Sequence, residues 1–193
     1  MIDCLSKGRL ISGFARGIPR EYDVYNISMS ESRARFEEAY EIIMRAWTQD
    51  SFSYDGKFWS YKDVSIWPRP VQAPHPPVSI PVTSSQESLD WAAARGIPIT
   101  PGAATRGLRE DVVRYFANAL AQHGRKFTPD LMWVPSLAYL ADSKAQAVKE
   151  YAPYHLYFNR TLFSHGNFTE TSLQAQAGYV SDRSKEYVSE ENL

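Results

Sequence analysis

The stretch Trp67–Ala94, WPRPVQAPHPPVSIPVTSSQESLDWAAA, sets the tightest limits on how this chain folds. Pro68, Pro70, Pro74, Pro76 and Pro77 hold its first part extended. The apolar run Val78–Val82 then reads as a strand. Pro81 cannot donate to a sheet ladder, so the strand either ends there or bulges. Thr83-Ser84-Ser85 opens a helix that carries Leu89, Trp91, Ala92 and Ala93. Ser84 and Glu87 have capping-box spacing, in which a hydroxyl and a carboxylate each satisfy the other's open backbone N–H. The product is a strand, a tight serine turn and a helix N-terminus. Such a terminus offers N–H groups and the positive end of a dipole, which suits a phosphate. By the motif alone, an ordinary capped helix is the plainer reading.

The same grammar runs through the rest of the chain. Met1–Arg9 reads as the end of a helix closed by Gly8, a pattern that suggests an earlier segment. Leu10–Phe14 reads as a short strand and Ala15–Arg20 as a loop. Small neighbours around Arg16 let the backbone close around whatever the guanidinium holds, although spacing alone makes it a solvated loop residue. Tyr22–Met29 reads as an aromatic loop, with Ser30 as the N-cap of the next helix. Phe36, Tyr40, Ile43 and Trp47 fall on one face of that helix and read as core. Phe52–Trp59 has a hairpin signal, with Asp55-Gly56 suited to a type I′ turn.

Gly96 closes the central helix and Ile97–Gly102 gives another strand. A helix from Thr105 presents Leu108, Val112, Tyr115, Phe116 and Leu120, and ends at Gly124. Met132–Ala141 is the next expected strand, with Pro135 at a bulge or edge. Asp142 is placed to cap a helix over about Ser143–Ala152, which Pro153 breaks or kinks. Tyr154–Phe168 is aromatic without a clear period, and Thr169–Leu193 is polar. Alternating strands and helices argue for an α/β fold, either a parallel sheet or a (β/α)8 barrel. The main strands amount to about half of a barrel, which typically takes ~250 residues. The 193 residues therefore read as one domain or a piece of a larger one.

Composition narrows the function classes. Hydrophobic residues make up 44% and charged residues 22%, enough apolar material for a core. A net charge of −1 gives no electrostatic case for nucleic acid or an anionic membrane surface. The apolar runs are too short to span a bilayer, and no leader pattern opens the chain. Cys4 is the single cysteine, so internal disulfides are excluded and a cytoplasmic location is expected. Beside Leu5 it reads as a small buried side chain, not as a nucleophile. His75, His123, His155 and His165 have no metal-ligand spacing, so no metal is expected. Neither a GxGxxG fingerprint nor a GxSxG elbow is present.

Leu5-Ser6-Lys7-Gly8-Arg9 precedes the first strand, and Gly13-Phe14-Ala15-Arg16-Gly17 follows it. Ser32-Arg33-Ala34-Arg35-Phe36-Glu37-Glu38 opens a helix, followed by Tyr54-Asp55-Gly56-Lys57-Phe58, the proline run Pro68–Pro77 and Ser85–Ala93. In this order and spacing, over roughly residues 5 to 140, the chain resembles the bacterial luciferase-like, flavin-dependent monooxygenase family. The resemblance implies a partial (β/α)8 barrel in which residues 1–193 form one domain supplying about strands 4 to 7. The first three βα units and the last strand of the family's barrel have no counterpart here. It implies reduced FMN as cofactor, supplied by a separate flavin reductase, and O2 as co-substrate. One oxygen atom would enter a small organic substrate.

By the same resemblance, Arg16 and the serines Ser84, Ser85 and Ser88 match the positions that hold the flavin phosphate. The aromatics of Tyr154–Phe168 would line a substrate pocket or form core. The family's acid–base residues lie in the units without counterpart, so the resemblance assigns no catalytic residue. A homodimer is implied. Two alternatives stand beside this reading: a non-catalytic flavin-binding protein or subunit, and a deazaflavin-dependent reductase.

Overall fold

The computed structural model describes residues 1–17, 19–82, 85–101, 110–135 and 138–158, with backbone alone at positions 19, 20 and 23. These residues form two compact units. The first is Met1–Arg16 with Ser30–Pro81, and the second comprises Gly17–Met29 and the described residues from Val82 onward.

In the first unit, α1 (Ile2–Leu5) ends as expected at a left-handed turn, with Lys7 at φ 55° and Gly8 at φ 76°. The Gly8 N–H donates to the Asp3 carbonyl at 2.9 Å. β1 is only Ser12–Gly13, shorter than the Leu10–Phe14 strand the sequence predicts. It pairs in parallel with β4 (Val78–Val82), with Ser12 opposite Val78 and Gly13 opposite Ser79. Pro81 neither ends nor excludes β4. It sits at an exposed position of a strand that continues to Val82.

The helix α3 spans Ser32–Thr48. Ser30 is not its N-cap. Ser30 lies inside a 3-10 turn, Met29–Glu31, which feeds the helix directly and leaves Glu31 at the cap position. The predicted face of Phe36, Tyr40, Ile43 and Trp47 is half-buried, and Ser32 is the residue of α3 that is fully buried. The hairpin forms from β2 (Phe52–Asp55) and β3 (Ser60–Val64), antiparallel, with Tyr54 opposite Tyr61 and Asp55 opposite Ser60. The type I′ turn does not form. Residues 56–59 make the loop, Gly56 has no positive φ, and its N–H donates to the Trp59 carbonyl at 2.9 Å. Glu38 explains the longer loop, because its carboxylate accepts the N–H groups of Lys57, Phe58 and Trp59 at 2.8–3.2 Å.

β4 carries the chain into the second unit. There α2 (Pro19–Val24) replaces the predicted loop at Tyr22, since the helix tolerates a proline at its first position. Central to this unit is α4 (Gln86–Arg95), which Gly96 closes at φ 64°. The N–H groups of Gly96 and Ile97 return to the carbonyls of Ala93 and Ala92. β5 (Ile99–Pro101) follows. The helix α5 (Glu110–Gln122) packs on α4, burying Val112, Phe116 and Leu120. Thr105 and Leu108 lie outside the described residues.

The predicted strand Met132–Ala141 reduces, among the described residues, to a single parallel bridge between Met132 and Ile99. The last described helix, α6 (Lys144–Tyr157), is capped by Ser143 and not by Asp142. The Ser143 hydroxyl accepts the Gln146 N–H at 3.2 Å. Pro153 stands inside α6 and does not end it.

Candidate cofactor site

Strand β4 is followed, three residues on, by Ser85, whose extended backbone (φ −69°, ψ 106°) sets up the first turn of α4. Its hydroxyl oxygen accepts the Ser88 N–H at 3.3 Å and the Ser88 hydroxyl at 3.1 Å. The Ser85 carbonyl accepts the N–H groups of Ser88 and Leu89, each at 3.1 Å. Ser88 is buried, at 7% exposure. The cap residue is therefore Ser85, one position later than the Ser84–Glu87 capping box predicts. Adjacent serines carry the same capping chemistry. With Ser85 at the cap, Ser88 takes the third helical position and Glu87 the second, so the box cannot close on Glu87. Ser84 lies outside the described residues.

Arg16 follows β1 by three residues and is half-buried. Gly17 beside it takes φ 95°, a conformation that favours glycine, as the small flanks of the arginine suggest. The structure thus joins Ser85 and Ser88 in a direct hydrogen bond, whereas Arg16 belongs to the other unit.

Sequence reasoning missed what supports the arginine loop. Phe14 donates its N–H to the Ser79 carbonyl at 2.9 Å. Its ring meets Tyr40 edge-on, with centroids 5.6 Å apart, and Trp47 at 5.9 Å. Trp47 in turn stacks on His75 at 6.3 Å. The period of α3 named these aromatics as core without showing which loop they hold.

The hydroxyl pair on the positive end of a ten-residue helix suits an anion such as a phosphate. Among the described residues, no group of three or more His, Cys, Asp or Glu is placed to hold a metal ion. No described helix is long and apolar enough to cross a membrane. Cys4 is half-buried and donates its thiol to the Arg69 carbonyl at 3.0 Å, a structural contact. The predicted aromatic pocket lies mostly outside the described residues. Tyr154 and Tyr157 are within them and are 73% and 60% exposed on α6. Tyr139 stacks on Tyr151 at 5.4 Å and donates to Glu150 at 3.0 Å. That hydrogen bond, with some desolvation, pushes the Tyr139 phenol up from its ordinary value.

Comparison with known proteins gives these features a context. The model of the family described as luciferase-like monooxygenase matches residues 1–192. An FMNH(2)-dependent dimethylsulfone monooxygenase of Pseudomonas putida is 30% identical over 125 residues, which are 62% of this chain and 34% of that protein. The alkanal monooxygenase alpha chain of Photobacterium phosphoreum is 30% identical over 99 residues, 51% of this chain and 28% of its own length. Among solved structures, the monooxygenase RslO1 of Streptomyces bottropensis aligns with a TM-score of 0.74 at 29% identity, over 91% of this chain and 54% of that one. An F420-dependent secondary alcohol dehydrogenase shares the fold at 15% identity and a TM-score of 0.62, over 97% of this chain and 57% of its own. The chain spans about a third of the length of these curated relatives and about half of the solved ones. The fold is α/β with barrel-type luciferase-like neighbours, and the described sheet is a partial one. From the family match over almost its whole length, the chain belongs to the luciferase-like monooxygenase family, an enzyme family of flavin-dependent monooxygenases and related oxidoreductases.

Proposed function

We propose that this chain is the flavin-phosphate-binding part of a luciferase-like monooxygenase that uses reduced FMN and O2 to oxygenate a small organic substrate. The observation that carries this is the Ser85–Ser88 hydroxyl pair at the N-terminus of α4, directly after a parallel strand, in a chain of this family. In this reading residues 1–193 are one domain and supply about strands 4 to 7 of the family's barrel. Arg16, Ser84, Ser85 and Ser88 hold the FMN phosphate. The similarity to an FMNH(2)-dependent relative favours FMN. A separate flavin reductase supplies the reduced cofactor, and the protein works as a cytoplasmic homodimer.

The division of labour follows from chemistry. Bound reduced flavin supplies the electrons for oxygen activation. The Arg16 guanidinium makes a charge-assisted, fork-shaped contact with the phosphate. Ser85 and Ser88 supply hydroxyls on the positive helix end, and Ser88 is already desolvated there. These groups bind and orient, and none of them moves a proton in the reaction.

Anaerobic titration with oxidised and reduced FMN, followed by flavin fluorescence or absorbance, tests the proposal. Arg16→Ala is expected to weaken binding by about 1.5–3 kcal/mol, the worth of a hydrogen bond to a charged group. Unchanged affinity in a folded variant would remove Arg16 from the site. A second reading, a deazaflavin-dependent reductase, is favoured by the F420-dependent neighbour of the same fold. Tight F420 binding with no response to FMN would select it. Flavin binding without oxygen consumption when substrate and reductase are present would select a non-catalytic flavin-binding protein or subunit.

A further inference from the structure

Strand β1 loses its ladder abruptly, and one residue of β4 explains why. The Ser12 N–H donates to the Pro77 carbonyl at 2.8 Å and the Phe14 N–H to the Ser79 carbonyl at 2.9 Å, in parallel register. The next bond of that series would run from the N–H of residue 81 to the Phe14 carbonyl. Residue 81 is a proline and has no N–H to give. Among the described residues the Phe14 carbonyl accepts no hydrogen bond. The chain beyond Phe14, which carries Arg16, is therefore not steered by the ladder.

The Phe14 ring is what remains to steer it. The ring meets Tyr40 edge-on at 5.6 Å and Trp47 at 5.9 Å, both on α3. Trp47 is held in its turn. Its ring stacks on His75 at 6.3 Å, and its carbonyl accepts from the Arg69 guanidinium at 3.3 Å. The His75 Nδ1 lies 2.8 Å from the Pro76 carbonyl, an acceptor that keeps a proton on that nitrogen. Arg16 stands two residues past Phe14, at most ~7 Å of extended chain away. All of these residues belong to the first unit.

We infer that Phe14 is a positioning residue for phosphate recognition: with the ladder cut at Pro81, its ring against Tyr40 and Trp47 sets where Arg16 stands. This rests on the proposed reading that Arg16 holds the FMN phosphate. A fork-shaped guanidinium contact depends on orientation, so loosening the ring costs the phosphate contact and not the rest of the flavin.

The test titrates the full chain with FMN and with riboflavin, which lacks the phosphate. The variants are Phe14→Leu, Trp47→Phe, Arg16→Ala and the double variant Phe14→Leu/Arg16→Ala. Leucine keeps an apolar side chain without the ring, and Trp47→Phe loosens the same contact from the α3 side. Circular dichroism checks each fold. Arg16→Ala is expected to lower the preference for FMN over riboflavin by about 10- to 150-fold. Phe14→Leu lowers it by about 3- to 10-fold and leaves riboflavin affinity unchanged, and Trp47→Phe acts in the same direction. In the Arg16→Ala background Phe14→Leu changes the preference no further, because it acts through the arginine. Equal weakening of both flavins, an unchanged preference in Phe14→Leu and Trp47→Phe, or the same effect of Phe14→Leu in both backgrounds overturns the inference and leaves the phosphate anchor standing. An unchanged preference in folded Arg16→Ala, or a folded wild-type chain that binds neither flavin, overturns both.

Discussion

At the scale of single residues, two carboxylates organise the first unit by accepting backbone N–H groups. Asp3, 2% exposed, accepts the N–H groups of Val71 and Gln72 and the Gln72 side-chain amide at 2.7–3.0 Å. The same amide donates to the Leu10 carbonyl at 2.9 Å. Desolvation alone would raise this carboxyl, but the Gln72 and Val71 donors outweigh it and hold it below its ordinary value of 3.8. A carboxyl lowered by folding contributes stability that is complete above its unfolded value and is lost as pH falls through its folded value. Acid unfolding curves should therefore show the native chain losing stability below pH 3.8, with Asp3→Asn less stable at neutral pH and flatter across that range. Glu38 does the same for the hairpin loop, and Gly56 is its counterpart. A Cβ at Gly56 would collide with the Glu38 carboxylate and the Tyr54 ring. Gly56→Ala is expected to cost about 1–3 kcal/mol in denaturant unfolding, as overpacking does. The sequence marks Asp55-Gly56 as a turn but does not reveal Glu38, nineteen positions from Lys57, as the group that shapes it.

At the scale of elements, local chemistry fixed the helix ends more closely than the strand lengths. The stop of α4 at Gly96 was legible because a left-handed residue favours glycine. Its start was legible to within one position, because Ser84 and Ser85 are chemically equivalent caps. Ser85→Ala should cost about 1 kcal/mol of stability, measured by thermal melting, in addition to its effect on flavin binding. The helix α6 shows the opposite case. The sequence expects Pro153 to break or kink it, and the helix runs on through the proline to Tyr157. A proline inside a helix removes one hydrogen bond and crowds the preceding turn. Pro153→Ala is therefore expected to stabilise the chain by up to about 3 kcal/mol, seen as a higher melting temperature. No rise would mean that contacts along α6, such as Gln146 to Glu150 at 2.8 Å, already fix the helix through the proline.

At the scale of the whole molecule, the buried residues concentrate where α4 and α5 meet, with Leu89, Phe116 and Leu120 at 2% exposure or less. Phe116 also meets Phe127 edge-on at 6.4 Å. Phe116→Ala should cost about 3–5 kcal/mol, enough to unfold a marginal domain. By itself the sequence determined the α/β class, the Val78–Val82 strand followed by a serine-capped helix, the apolar face of α5 and the family. These follow from patterns repeated every two or three to four residues and from capping groups adjacent in the chain. Tertiary structure alone decided that Glu38 closes the hairpin loop, that Phe14 anchors on Tyr40 and Trp47, and that Gly13 stands opposite Ser79 in the parallel β1–β4 pair. Each joins residues far apart in the chain. Local periodicity says which side chains turn inward, but it does not name the partner they meet there.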